Sequence, residues 1–246
     1  MPVKTILISQ PQPKNKSPYD NLEKKYGIKI DFRSFIHVEG VSGKDFRKEK
    51  INPTEYTAII FTSRNSIEHF FRVCEELRIK MSQDTRYFCT SEAIAHYLQK
   101  FIVYRKRKVF YGKRLIEDMK DSLLKYKKEK FLLPCSNLRK KRLTEYVRGL
   151  GIELQEAEMY RTVASDLSDL ADITYDMLVF FSPLGIESLY KNFPDFKQNN
   201  TRIAAFGPTT CKAVLDRNLE INVKAPLPEA PSMTMAIDRY LKKANN

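Results

Sequence analysis

Short apolar runs of strand character alternate with amphipathic stretches along nearly the whole chain, and this alternation limits the fold more than any other feature. A strand followed by a helix and a further strand builds a parallel sheet covered by helices. Strand candidates are Val3 to Ile8, Ile28 to Phe35, Thr57 to Phe61, Arg86 to Cys89, Phe131 to Leu133, Ile152 to Tyr160, Met177 to Phe181, Ile203 to Phe206 and Ile221 to Val223. Nine or ten strands are too many for one compact sheet in 246 residues, so two α/β domains are expected.

Between the strands, apolar residues recur at i, i+3, i+4 and i+7, which puts one buried stripe of each helix against a sheet. Ile67, Phe70, Phe71 and Cys74 follow this spacing, as do Ile94, Tyr97, Leu98 and Phe101. So do Leu143, Tyr146, Val147 and Leu150, and then Ile186, Leu189, Tyr190 and Phe193. Core packing is the expected role of these aromatics. An internal echo also points to two similar halves. Phe61-Thr-Ser-Arg-Asn-Ser-Ile-Glu68 aligns with Phe180-Phe-Ser-Pro-Leu-Gly-Ile-Glu187, each a strand end, a turn and a helix start.

Composition sets the outer bounds. Apolar residues make up 42% and charged residues 30%, ordinary for a globular chain with a proper core. No run approaches the roughly 20 apolar residues of a membrane span, and residues 1 to 10 turn polar too soon for a secretory signal. A cytoplasmic protein is expected, with the scattered Cys74, Cys89, Cys135 and Cys211 as reduced thiols. The net charge of +13 favours an anionic ligand. Charge alone leaves nucleic acid, an acidic lipid surface and a polyanionic small molecule open.

Polar turns at the strand ends narrow that choice. Thr62-Ser63-Arg64-Asn65, Thr90-Ser91-Glu92, Cys135-Ser136-Asn137, Ser182-Pro183-Leu184-Gly185 and Gly207-Pro208-Thr209-Thr210 each follow a strand and open a helix. A Ser, Thr or Asn there caps the helix, and the first turn presents N–H groups and the positive end of the helix dipole, a small anion site. In doubly wound sheets such turns gather beyond the carboxyl ends of the strands. If two sheets face each other edge to edge, all five turns surround one cleft. Simple helix capping is the competing account of each turn.

Motifs for other chemistries are missing. There is no GxxxxGK[ST] loop, no GxGxxG after a strand and no HExxH spacing, so nucleotide, flavin and metal mechanisms are disfavoured and no metal site is expected. His37, His69 and His96 lie apart, and His69 and His96 fall on polar flanks of helices, where a surface role is expected. The basic runs Arg105 to Lys108 and Arg139 to Arg142 lack interleaved aromatics and read as solvated faces rather than a nucleic-acid platform. The second run follows the Ser136 turn, where Arg139 is placed to hold carboxylates.

Taken with their order and spacing, these pieces resemble the uroporphyrinogen-III synthase family over nearly the whole chain. The matching segments are Phe61-Thr-Ser-Arg-Asn-Ser66, Leu133-Pro-Cys-Ser-Asn-Leu138, Glu158-Met-Tyr-Arg-Thr162, Phe181-Ser-Pro-Leu-Gly185, Phe206-Gly-Pro-Thr-Thr210 and Ala225-Pro-Leu-Pro-Glu-Ala-Pro-Ser232. The resemblance implies two similar α/β domains, each a parallel sheet flanked by helices, joined by a two-strand linker. Residues 1–36 plus 165–246 would form the first domain and residues 37–164 the second. Crossings would lie near Phe35 to Val38 and Arg161 to Ser165.

Members of the family convert hydroxymethylbilane, a linear tetrapyrrole with eight carboxylates, into uroporphyrinogen III with loss of water and inversion of ring D, using no cofactor. The resemblance implies the same for this chain, acting as a monomer in transient contact with the preceding pathway enzyme, with no nucleic-acid or membrane partner. Tyr160 matches the family tyrosine that assists the departing hydroxyl. Thr62, Ser63, Asn65, Thr90, Ser91, Ser136, Asn137, Arg139, Ser182, Gly185, Thr209 and Thr210 lie on the turns expected to hold carboxylates. One position departs from the pattern: the Thr that many members carry after the strand ending at Cys89 falls at Ala93, leaving Thr90 and Ser91 as replacement donors. Both a working enzyme and a non-catalytic member of the same fold that binds a tetrapyrrole or another polycarboxylate stay open here.

Overall fold

A computed structural model describes residues 2–138 and 141–244, and every structural statement below concerns those residues. Eleven strands form in chain order: β1 (Thr5–Ile8), β2 (Lys29–Phe32), β3 (Ile36–Gly40), β4 (Ala58–Phe61), β5 (Arg86–Cys89), β6 (Val109–Tyr111), β7 (Phe131–Ser136), β8 (Leu154–Ala164), β9 (Met177–Phe180), β10 (Arg202–Phe206) and β11 (Val223–Ala225). They make two sheets, ordered β11-β10-β9-β1-β2 and β3-β8-β7-β4-β5-β6. The chain separates into two compact units, Met1–His37 with Val163–Asn246, and Val38–Thr162. The protein is α/β, with both sheets mostly parallel and flanked by helices.

In the unit formed from both chain ends, the sheet is covered on two sides. Successive residues of β1 show this directly: Ile6 and Ile8 enter one core with Leu22, Val179, Ile237 and Leu241, while Leu7 enters the other with Phe180, Leu189, Ile203 and Val214. A strand buried on both faces reads as a continuous apolar run, which is why these strands stand out in the sequence. Each fully buried aliphatic or aromatic side chain contributes about 1.5–3 kcal/mol of burial.

The inserted unit repeats this logic. All four residues of β4 are buried, alternating between a core with Phe70, Tyr87 and Met159 and another with Phe88, Phe131 and Leu154. The helix Arg64–Glu76 buries Ile67, Phe70 and Cys74 of its expected stripe on this sheet, while Phe71 is only partly buried and Val73, outside that spacing, is buried with them. Two strands, β6 and β3, lie outside the apolar runs that mark strand candidates, although β3 spans the stretch near Phe35 to Val38 where the resemblance implies a linker strand. The run of β6 is three residues long and follows the basic stretch Arg105 to Lys108, so it has no alternation to read. For β3 the residues are mostly exposed, and it pairs antiparallel to β8, with Ser165 N donating to Phe35 O and Val41 N to Met159 O.

β7 runs three residues past its expected end, through Pro134. Proline has no N–H for a ladder and is normally kept to strand edges. Here the pairing with β4 stops at Leu132, so Pro134 sits where only the β8 ladder continues, opposite Ala157. No helix among the described residues is long and apolar enough to cross a membrane.

One carboxylate ties the first sheet together at its base. Asp176, just before β9, accepts from Lys4 N at 2.8 Å, Thr5 N at 2.9 Å and Thr5 Oγ1 at 3.1 Å. Partial burial pushes its carboxyl up, but these hydrogen bonds together outweigh burial and hold it below the usual 3.8. A folded-state value below the unfolded one adds stability above the unfolded value, and that stability is lost as pH falls through the folded value. Asp176→Asn is therefore expected to cost about 1 to 2 kcal/mol near neutral pH. In urea melts the gap from the parent should hold above pH 5 and close on acidification below 3.8; a gap independent of pH would assign the loss to packing instead.

Candidate functional site

The carboxyl ends of β4, β5 and β7 reach one edge of the second sheet together because these strands run parallel. β8 runs parallel to β7 and brings Tyr160 to the same edge. A cavity of about 450 Å³ opens there. Thr62, Ser63, Thr90, Ser136 and Tyr160 line it, so five of the residues singled out in the sequence converge on one pocket. Asn65, Ser91 and Asn137 stand on the same turns but do not line it. Arg139 lies outside the described residues.

Ser63 caps the helix Arg64–Glu76 in a reciprocal arrangement. Its Oγ accepts from Ser66 N at 3.1 Å, while Ser66 Oγ accepts from Ser63 N at 3.2 Å and Thr62 N at 3.3 Å and donates to Ser63 O at 2.7 Å. Capping thus consumes the amides of Thr62 and Ser63, and both residues line the pocket. Thr90 is nearly buried, with its hydroxyl donating weakly to Thr62 O at 3.5 Å. Ser91 opens the helix Glu92–Leu98 without a side-chain capping bond, and Ala93 lies exposed in its first turn.

At the end of β7, Ser136 Oγ accepts from Leu138 N at 3.1 Å. The carboxamide of Asn137 ties to β8: Oδ1 accepts from Thr162 N at 2.9 Å and Nδ2 donates to Thr162 O at 3.3 Å. Asn137 thereby helps fix the strand that carries Tyr160, with one N–H and one oxygen lone pair of its exposed amide left over. A register shift between Cys135 and Ser136 sets Ser136 opposite Tyr160.

Tyr160 is 8% exposed, and its hydroxyl lies 3.4 Å from Ser63 Oγ. Burial pushes its phenol above the ordinary value of 10.0, more than the Ser63 contact lowers it. At neutral pH it is a protonated donor. Its ring is stacked on His69, a residue expected at the surface but half-buried here.

The pocket also holds charged groups outside the expected set: Arg114, Glu117, Arg142 and Glu156 line it, together with Thr144 and apolar residues such as Leu133 and Leu143. Arg142 Nη2 donates to Glu117 Oε1 at 2.9 Å, yet the arginine side chain is 80% exposed and so stays accessible to an anion. Thr144 Oγ1 donates to Glu156 Oε1 at 3.1 Å, and Arg148 pairs with the other carboxylate oxygen at 3.5 Å. Arg114 stands in a tight turn held by Asp118, which accepts from the amides of Lys113, Arg114 and Leu115. The basic run ending at Arg142 was a usable signal for one of these; nothing in the spacing ties residues 114 and 117 to it.

The remaining expected positions belong to the other unit. Ser182 caps the helix Pro183–Asn192 beyond β9, and Gly185 N donates back to Ser182 O at 3.1 Å, so that amide is spent on the cap. Gly207 follows β10 with φ of +86°, a conformation that favours glycine, and its N–H donates to Ala225 O at 2.6 Å. Thr209 is exposed in the next turn. Thr210 is 1% exposed, so its hydroxyl lies under the helix, away from solvent.

Comparisons with known proteins agree with one another. The family model of uroporphyrinogen-III synthase HemD matches residues 18–235. A uroporphyrinogen-III synthase of Chlorobaculum parvum is 23% identical over 98% of this chain and 100% of its own length. Among solved structures, uroporphyrinogen-III synthetase from Helicobacter pylori superposes with a TM-score of 0.59 at 17% identity, covering 98% of this chain and 99% of that one. A mutant uroporphyrinogen III synthase from Thermus thermophilus gives 0.52 at 13% identity with the same coverage. With nearly nine-tenths of its length matched in order and the strand-end turns in place, the chain belongs to the uroporphyrinogen-III synthase family.

Proposed function

We propose that this chain cyclises hydroxymethylbilane to uroporphyrinogen III, that the pocket at the carboxyl edge of the second sheet receives the reacting part of the substrate, and that Tyr160 assists dehydration. Supporting this reading is one observation above the others: a buried, protonated phenol stands in the same pocket as the strand-end hydroxyls of Ser63 and Ser136 and the cations Arg114 and Arg142. Carboxylate arms need such cations and hydroxyl donors. The turns at Ser182 and Thr209 in the other unit offer further donors, and the division into residues 1–36 plus 165–246 and 37–164 gives each domain its own share of them. On this proposal the enzyme works as a cytoplasmic monomer.

The chemistry suits the groups present. As the hydroxyl leaves ring A, the Tyr160 O–H donates a hydrogen bond to the departing oxygen. The hydroxide takes the carbon–oxygen bonding pair with it, and the lone pair of the pyrrole nitrogen fills the gap left at the carbon, giving an azafulvenium cation. Ring D then attacks through its substituted carbon to give a spiro intermediate; the bond from that carbon to the ring C methylene breaks and re-forms at the free α carbon of ring D, and the proton lost there balances the hydroxide as water. Closure without a protein gives the uninverted isomer, so holding the chain folded is most of the catalysis.

The deciding experiment incubates the protein with freshly generated hydroxymethylbilane and separates the isomers by chromatography. Isomer III above the protein-free control is expected; isomer I alone overturns the proposal. Tyr160→Phe should slow turnover by about 10²-fold, the lower end for loss of a positioned proton-handling group, with an unchanged melting temperature. Because burial raises this phenol, the parent rate should show no alkaline fall from Tyr160 below pH 10. Full activity in Tyr160→Phe would remove the phenol from the reaction.

A further inference from the structure

Behind Tyr160 stands a side chain that the chemistry above leaves unused. The rings of His69 and Tyr160 are stacked, with centroids 5.0 Å apart and planes 17° from parallel. His69 projects from the helix Arg64–Glu76, the helix that Ser63 caps, so the ring contacting Tyr160 and the hydroxyl contacting its phenol come from one rigid element.

The imidazole is itself anchored. Arg72, one turn on, donates from Nε to His69 Nδ1 at 3.3 Å and from Nη2 to Val41 O at 2.7 Å, and it pairs with Glu76. A guanidinium can only donate, so Nδ1 carries its lone pair and the ring proton resides on Nε2. Burial, reinforced by the Arg72 charge and opposed by Glu68, holds His69 below its usual 6.5, in keeping with a neutral ring.

Tyr160 needs such a support. It follows a register shift, where Cys135 faces Glu158 but Ser136 faces Tyr160, and irregularities of this kind re-aim the side chains beside them. Its phenol has a hydroxyl neighbour, Ser63, only at 3.4 Å, too long to set a direction firmly. The plane of the ring, and with it the line along which the O–H points, is then set by the flat surface it rests on.

We propose that His69 is a positioning residue: anchored by Arg72, its ring supports the face of Tyr160 and directs the phenol at the departing hydroxyl. The proposal rests on Tyr160 acting in dehydration. It requires a flat ring at position 69 and not a titrating one, so phenylalanine should substitute where a small or branched side chain should not. Arg72 is partly exposed, and water can take over the bond it loses in such variants.

The test compares kcat and KM for His69→Ala, His69→Leu, His69→Phe, Tyr160→Phe and the double variant His69→Ala with Tyr160→Phe, each checked for folding by circular dichroism. His69→Ala is expected to lower kcat about tenfold with KM unchanged, a modest case of misplacement. His69→Phe should restore the rate to within about threefold of the parent, and the double variant should be no slower than Tyr160→Phe alone, as for residues that act as one unit. His69→Leu, which keeps most of the volume, takes the place of His69→Ala should the latter fail to fold. Unchanged kcat without the ring, equal losses in the ring-bearing and ringless variants, or multiplying losses in the double variant would each overturn the proposal while Tyr160→Phe stays slow. Parent-like turnover in Tyr160→Phe would instead bring down the reading of Tyr160, and this inference with it.

Discussion

A parallel sheet buried on both faces has no room for chemistry along its length, and the site follows from that constraint. Residues such as Ile59, Ile60, Leu178 and Val179 are wholly or almost wholly enclosed, and any polar group among them would need a partner in a medium where leaving it unpaired is costly. Polar function is therefore driven to the strand ends, where helices begin and water is near. Because parallel strands end on the same side, the turns after β4, β5 and β7 are brought together although they are separated by tens of residues in sequence.

Helix capping and ligand binding then compete for the same amides. At the Ser63 turn the competition is settled in favour of the cap, since Ser66 takes the N–H groups of both Thr62 and Ser63. At the Ser182 turn Gly185 returns its N–H to Ser182. At those two turns what remains for a carboxylate is hydroxyl groups, and the pocket beside Ser63 adds Arg114 and Arg142. This differs from a phosphate cradle made of main-chain N–H groups, and it fits a ligand whose charges are spread over many arms, each needing a moderate contact and none a deep one.

The strands and most of the turns were legible because both-face burial makes short unbroken apolar runs and capping needs Ser or Thr at the break; β4, β5 and the Ser63 cap follow from local chemistry alone. Arg114, Glu117 and Glu156 were not, because their convergence depends on how residues 112–119 and the helix Lys141–Gly149 fold over the sheet, which no spacing encodes. Asn137 has the right residue type for a ligand-binding turn, yet its amide also makes two main-chain bonds to β8 that no sequence spacing announces. Thr210 shows the same limit: adjacent threonines in one turn look equivalent in sequence, but helical rotation places Thr209 outside and Thr210 inside. His69 sits at a flank of its helix, and only the return of β8 beside it covers that flank with Tyr160.

The burial that raises the Tyr160 phenol also defines what the group can do. A phenol held above its ordinary value does not exist as phenolate at neutral pH, so its contribution is a directed hydrogen bond whose strength falls steeply with misalignment. A titrating acid tolerates some play, because its effect depends on how often a proton is present. A neutral donor does not, because its effect depends on where the O–H points at the moment the carbon–oxygen bond breaks. Rigidity around Tyr160, supplied by the Asn137 clamp on β8 and the capped helix that carries Ser63 and His69, is then part of the proposed chemistry and not only of the fold.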